Sequence, residues 1–196
     1  MNTLKIVYSD SPLNPREEFD NICHMNFEHR NYNLGDKNIK EILLEKLGLS
    51  DSDLNNRELI QLAKRKKVIF HTVPVYMYEH GNIALSLKPF NCPWDSGQLG
   101  EIFVFTDEVK EEFSVKRFGK KIKAEIIAKT MRNMESEVEI YSQYLSGEVY
   151  GFQIVDEDDE IIDSCYGFFG SDFQENGMKD YIPEEYHDQL ACAEVQ

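Results

Sequence analysis

The sequence predicts an α+β fold, with an antiparallel sheet of about five to six strands, one long helix and a helical hairpin. Short segments rich in β-branched and aromatic residues are separated by turn residues, which is typical of antiparallel strands. Apolar residues recur at helical spacing in two adjacent segments before residue 70, and again over residues 120–145. The 196 residues are 41% hydrophobic, enough for one ordinary core, so we expect a single α+β domain over residues 1–196.

The start of the chain contains one clear element. Residues 4–8 predict a short strand, and Pro12 and Pro15 then interrupt the pattern as in a loop. The following stretch, residues 16–36, is polar and aromatic without a clear period. We expect this stretch to be mostly irregular.

The helical hairpin is predicted from two neighbouring segments. Residues 37–47 have apolar side chains at helical spacing, and Asp36 is placed to cap this helix. Residues 53–66 predict a second helix, with Asp51 or Ser52 as its cap.

Strands dominate the next part of the chain. Residues 68–78 and 83–87 flank a His-Gly-Asn turn and predict a β-hairpin. Residues 102–105 predict a further strand, after which Thr106 is expected to cap a short helix that ends near residue 113.

The last third begins with the long helix. Its apolar stripe runs through residues 120–145, and Gly147 is expected to end it. Residues 149–155 and 160–168 flank an acidic turn, which predicts a second hairpin. The tail, residues 172–196, is acidic, and we expect one short helix in it.

The negative charge is concentrated at the C-terminal end. Residues 133–196 contain 17 acidic side chains and a single basic one, Lys179, whereas residues 1–132 are near-neutral with 19 acidic and 20 basic side chains. A field of one sign repels nucleic acid and anionic membranes and attracts basic surfaces. We therefore expect no direct binding to nucleic acid or to membranes, and a basic partner protein instead.

A cluster of carboxylates provides a candidate surface for that partner. Duplex DNA carries one charge for about every 1.7 Å of its axis, so closely spaced carboxylates can occupy a groove built for phosphates. The alternative interpretation is a solvated acidic face that only keeps the protein soluble. The candidate partner-binding residues are Asp156, Glu157, Asp158, Asp159, Glu160, Asp163, Glu184 and Glu185.

The segment around Cys92 suggests a different kind of site. It combines the only Trp of the chain with a thiol, an acid and two glycines between predicted strands, and loops of this kind often carry function. A nucleophilic Cys92 would need a histidine as base; the alternative is a structural loop fixed by a buried Trp94, with Asp95 bonded to backbone amides. The candidate small-molecule or nucleotide site comprises Arg16, His29, Arg30, Asp36, Cys92, Trp94, Asp95 and Gln98.

Motifs for cofactors and metals are not found. The glycines form neither a dinucleotide-binding nor a P-loop pattern, and His24 and His29 lack the four-residue spacing of a helical zinc site, so we predict no cofactor and no metal. The four cysteines are far apart in sequence, which is typical of reduced thiols. The N-terminus lacks the pattern of a secretion signal and no apolar run is long enough to span a membrane, so we expect a cytoplasmic protein.

Five segments are distinctive enough to compare with known families. They are DSPLNPR at 10–16 followed by Asp20-Asn21, HRNYNLGD at 29–36, CPWDSGQ at 92–98, VEIYSQYLSGEVYG at 138–151 and DSCYGF at 163–168. Together they resemble a family of small bacteriophage and mobile-element proteins that mostly have no assigned function.

The resemblance implies a context rather than a reaction. Small acidic proteins of this kind are similar in character to inhibitors of host defence, including anti-restriction and anti-CRISPR proteins. It therefore implies a non-enzymatic inhibitor in the host cytoplasm that binds a nuclease or CRISPR effector through a DNA-mimicking surface. Whether the chain forms a homodimer is left open.

Overall fold

The protein, described here by a computed structural model that covers residues 2–195, has an α+β fold. Within this range, seven strands form two antiparallel sheets, and one helix is far longer than the others. The predicted fold class is thus confirmed. The strands are divided between a three-stranded and a four-stranded sheet, whereas we expected them in one.

The elements follow the order of the sequence patterns closely. The strands are β1 (Thr3–Tyr8), β2 (His24–Phe27), β3 (Ile69–His80), β4 (Asn82–Ser86), β5 (Ser96–Phe105), β6 (Val149–Val155) and β7 (Ile161–Phe169). The helices are α1 (Pro15–Glu18), α2 (Ile39–Leu47), α3 (Asn56–Arg65), α4 (Thr106–Glu112), α5 (Lys120–Ser146) and α6 (His187–Leu190). Short 3-10 turns occur at Met178–Tyr181 and Glu184–Tyr186.

Two compact units divide the chain. Unit 1 comprises the described residues up to Glu18 together with those from Ile140 onward, and unit 2 is Phe19–Glu139. Whether they fold as the single domain that we expected stays a prediction.

Unit 1 is built on a sheet with the strand order β1-β6-β7. Residues on one face of β1 lie opposite those of β6, as in the pair Ile6 and Phe152, and the segment that contains the 3-10 turns and α6 covers this face. Almost every residue of β6 is buried, because β6 is the central strand. The core residues of this unit are Leu4, Ile6, Tyr150, Phe152, Ile154, Phe168, Met178, Ile182, Tyr186 and Leu190.

Unit 2 is built on the sheet β2-β5-β3-β4. The hairpin of α2 and α3 packs on one face, where Leu43 and Leu59 meet Phe103 and Phe105 of β5. The strand β2 lies in the stretch that we expected to be irregular. Its consecutive residues Met25 and Asn26 are both buried, so the alternation typical of a strand is missing.

The helix caps differ from the predicted ones. Helix α3 is capped by Asn55 rather than by Asp51 or Ser52, and Asn55 and Glu58 form a reciprocal capping box. Asp36 does not cap α2, because its carboxylate accepts the amide hydrogen of Met25 at 3.0 Å.

Thr106 is the first residue of α4 rather than its cap. Its hydroxyl donates to the carbonyl of Lys67 at 2.8 Å. This bond fixes the start of α4 to the segment that leads into β3.

Candidate functional site

The net negative charge is concentrated in one of the two structural units. Unit 1 contains 17 acidic and three basic side chains, for a net charge of -14, whereas unit 2 has 19 acidic and 18 basic side chains and a net charge of -1. The acidic part of the protein therefore includes the N-terminal strand as well as the C-terminal segment. Almost the whole net charge of the chain thus belongs to unit 1.

The acidic turn between β6 and β7 is organised by two of its own carboxylates. Asp156 Oδ1 accepts the amide hydrogens of Asp158 at 2.9 Å and of Glu160 at 3.0 Å. Asp159 has a positive φ of 61° and binds Lys5 of β1 through a 2.7 Å ion pair, which lowers the pKa of the Asp159 carboxyl. Asp156 and Asp159 thus hold the turn in shape, and the surface charge of the turn comes mainly from its other acids.

The remaining candidate partner-binding residues are also in unit 1. Asp163 lies on β7, and its carboxylate accepts the amide hydrogen of Ser164 at 2.8 Å. Glu184 and Glu185 begin the second 3-10 turn and are exposed. Of all the candidates for this surface, only Asp156 is half-buried; the others are exposed to solvent.

A feature of β7 was missed in the sequence. Its first two residues, Ile161 and Ile162, are 55% and 56% exposed, and Tyr166 is 45% exposed. Apolar side chains thus follow directly on the acidic turn at the surface. The sequence signal for this feature is the pair of isoleucines that follows the acidic run. The alternation of a half-buried strand predicts that one of the two is buried, so the pattern alone did not show that both are exposed.

The expected structure of the Cys92 loop was wrong in two respects. Trp94 is 91% exposed and does not fix the loop by burial. The carboxylate of Asp95 contacts side chains: it accepts from the Cys92 thiol at 3.4 Å and lies 3.5 Å from Nδ1 of His80. The last part of the segment, from Ser96 onward, already belongs to β5.

This arrangement does not match that of a nucleophilic cysteine. An activated thiol needs a base such as imidazole within hydrogen-bond reach. Here Asp95 lies between Cys92 and His80, and the thiol donates to a carboxylate. The contacts are those of a loop that is held together by side-chain hydrogen bonds.

A cavity of about 330 Å³ lies beside the exposed indole. Four of the predicted ligand-site residues line it, namely His29, Trp94, Asp95 and Gln98. His29 stacks on Tyr32 with 5.0 Å between the ring centroids. The structure therefore brings half of the predicted ligand site together.

A second cavity, of about 510 Å³, extends this region toward α3. The two share Gln98, so together they form a polar groove along β5. Its far end is lined by Arg57 and Lys64, and Lys64 forms an ion pair with Glu101 of β5. Sequence patterns missed the α3 side chains, because α3 and β5 are brought together only by tertiary packing.

The other predicted ligand-site residues lie elsewhere. Arg16 belongs to α1 of unit 1, and Asp36 binds the backbone of β2. Arg30 Nε donates to the side chain of the neighbouring Asn31 at 3.4 Å. Cys92 lines neither of the two cavities.

A polar cluster joins α2, α4 and β2 in unit 2. Glu108 accepts from His24 Nε2 at 3.1 Å and from Lys46 Nζ at 3.0 Å. Burial opposes the charged form of Glu108, but the hydrogen bonds from His24 and Lys46 outweigh it, so the pKa of the Glu108 carboxyl lies below its ordinary value. These contacts connect structural elements, and we assign the cluster to stability.

Among residues 2–195, no three or more His, Cys, Asp or Glu side chains are grouped to hold a metal ion. No helix in the part of the chain that the structure describes is long and apolar enough to cross a membrane. Comparison with protein-family models, with curated proteins and with solved structures gives no match.

Proposed function

We propose that the protein is a non-enzymatic inhibitor that binds a basic, nucleic-acid-handling protein of the host through the acidic surface of unit 1. One observation carries the proposal: the net charge of -14 belongs to a single structural unit. This value already includes the three basic side chains of the unit, of which Lys5 is paired with Asp159. The resemblance to phage and mobile-element proteins supports a nuclease or CRISPR effector as partner, in the host cytoplasm.

The physical basis is competition for a phosphate-binding groove. Lysine and arginine side chains that bind duplex DNA experience a dense row of negative charges. Exposed carboxylates in a turn and on the strand beside it offer a similar field without a nucleic acid. Long-range attraction of this kind accelerates association and weakens strongly as salt is added.

The test reverses the charge of three exposed acids of the turn. A triple variant Glu157→Lys, Asp158→Lys and Glu160→Lys leaves Asp156 and Asp159 in place. A matched control makes the same change of charge on exposed acids of unit 2, with Glu41→Lys, Glu111→Lys and Glu112→Lys.

Each immobilised protein is then incubated with a bacterial host lysate at low and at high salt, and the bound proteins are identified by mass spectrometry. We expect the unmodified protein and the unit 2 control to retain a DNA-binding protein. Added duplex DNA or high salt should release that protein. We expect the unit 1 variant to lose it. Equal retention by both variants, or a bound protein that DNA does not displace, would refute the proposal.

A second candidate function is the binding of a small molecule in the groove along β5. The observation that favours it is the 91% exposed indole of Trp94 at the edge of a cavity. Large exposed aromatic side chains are common in binding sites, because they supply contact area with little loss of conformational entropy.

Trp94 is the only Trp of the chain, so its fluorescence reports on this groove alone. Titration with a metabolite library should identify compounds that shift its emission to shorter wavelength as the indole leaves water. A Gln98→Ala variant should weaken the binding of such a compound. Lys88→Ala, at an exposed position outside both cavities, should leave the binding unchanged. Absence of any shift across the library would count against this function.

A further inference from the structure

We infer that β7 is the edge on which the partner docks, by adding an extended, basic strand to the three-stranded sheet of unit 1. The inference rests on the proposed function, since it specifies how the acidic surface engages its partner. It concerns the backbone and apolar groups of β7 in addition to the charge.

The first support is the position of β7 in its sheet. The strand order is β1-β6-β7, so in the described part of the chain no further strand pairs with the outer side of β7. Alternate residues of an antiparallel edge strand direct their N–H and C=O groups away from the sheet. β7 spans nine residues, and Asp163–Tyr166 is its regularly paired stretch, between register shifts at Ile162 and Gly167.

The second support is the set of exposed apolar side chains on this strand. Ile161 and Ile162 are more than half exposed. The ring of Tyr166 lies against Gly151 of β6, where an added Cβ would be 2.2 Å from it, and its hydroxyl accepts from Gln153 at 2.7 Å. Tyr166 is thus held in place while 45% of it stays accessible, which suits a contact with a partner.

The third support is a backbone donor near the middle of the strand. The amide of Ser164 donates to the carboxylate of Asp163 at 2.8 Å. This donor is therefore satisfied by an exposed acid of its own strand. A basic side chain that pairs with Asp163 would release the amide for a carbonyl of the incoming strand.

The charge around β7 decides the chemistry of the occupant. The acidic turn, residues 156–160, leads directly into the strand, and Asp163 lies on the strand itself. Lysine or arginine residues on an added strand would meet these carboxylates. A second copy of this chain would instead bring together two units with a net charge of -14 each. The favoured occupant is therefore a basic strand of another protein.

Two peptides of equal charge separate strand addition from simple attraction. One alternates lysine with valine over eight residues and can form a strand; the other has the same side chains but a methyl group on every backbone amide nitrogen, and so lacks the donors for pairing. We expect the lysine–valine peptide to bind at least about tenfold more tightly, which corresponds to the net gain of one or two hydrogen bonds. We also expect it, and not the other peptide, to slow amide hydrogen exchange in β7.

The results distinguish a failure of strand addition from a failure of the proposed function. Equal affinities with no protection of β7 would overturn strand addition and leave binding by charge intact. Failure of both peptides to bind at low salt would contradict the proposed function itself. A dimer with protected β7 amides in the absence of peptide would show that a second copy occupies the edge, and would overturn the choice of occupant.

A variant of the protein tests the apolar contact. Ile161→Ser with Ile162→Ser should reduce the affinity for the lysine–valine peptide toward that of the N-methylated peptide. Leu13→Ser, at a residue of unit 1 that is 61% exposed and lies outside β7, should leave it unchanged. Circular dichroism establishes that each variant is folded, and an unchanged affinity in the folded double variant would refute the role of the isoleucines.

Discussion

Replacement of Gly100 in β5 by alanine is expected to destabilise unit 2 strongly, whereas the same replacement at Gly97 of the same strand is not. A Cβ at Gly100 would lie 2.1 Å from the carbonyl oxygen of Asn26 and 3.0 Å from Cα of Phe27. Both atoms belong to the backbone of β2, so no rotation of a side chain can relieve the contact. At Gly97, nothing lies within 4 Å of the added Cβ.

The size of the effect follows from the movement that is required. Non-bonded contacts of a Cβ are rarely below 3 Å, so β2 would have to retreat from β5 by about 1 Å, which strains hydrogen bonds whose usual length is about 2.9 Å. Excess volume in a packed region typically costs about 1–3 kcal/mol. Because the clash is with backbone, we expect Gly100→Ala to lower the free energy of unfolding by about 3 kcal/mol, and Gly97→Ala to change it by less than about 0.5 kcal/mol.

Urea titration followed by circular dichroism measures the free energy of unfolding of both variants. Hydrogen exchange of peptides that cover β2 and β5 shows whether the loss is in unit 2. Equal stability of the two variants would refute the argument, because it would mean that β2 and β5 can separate without loss.

Three further predictions concern stability. Asn55→Ala removes the cap of α3 and should lower the free energy of unfolding by about 1 kcal/mol in a urea titration, while Asp53→Ala, just before the cap, should have little effect. Because the pKa of Glu108 is lowered in the folded protein, its ionised carboxylate contributes to the free energy of unfolding above the ordinary carboxyl pKa of 4.5. This contribution is lost as pH falls through the lower folded-state pKa. Glu108→Gln should therefore flatten the dependence of stability on pH in that range. Trp94→Ala should leave the thermal midpoint unchanged, because the indole is 91% exposed, and a large decrease would show that it packs in solution.

Local patterns predicted most of the helices and strands. The apolar stripe of α5 and the turn residues between β6 and β7 are visible in the sequence, since neighbouring residues determine both. The strand β2 was not predicted, because its two central residues, Met25 and Asn26, are both buried and the alternation of a strand is missing.

The candidate site was predicted only in part, for a similar reason. His29, Trp94, Asp95 and Gln98 line one cavity, but Arg57 and Lys64 of α3 line the continuation of the groove. Residues far apart in sequence share a groove only when the fold brings their elements together. The exposure of Trp94 was predicted wrongly, since burial depends on what covers a residue and not on its type alone.

The sequence by itself determined the net charge of the protein, its concentration toward the C-terminus and the α+β class, because charge is a sum over residues and helical or strand periods are local. Only the tertiary structure decided that β1 pairs with β6 across most of the chain and so joins the acidic unit, and that β7 is the outer strand of this sheet in the described part of the chain. Strand pairing between distant segments depends on the packing of the whole core, for which no short stretch of sequence holds the information.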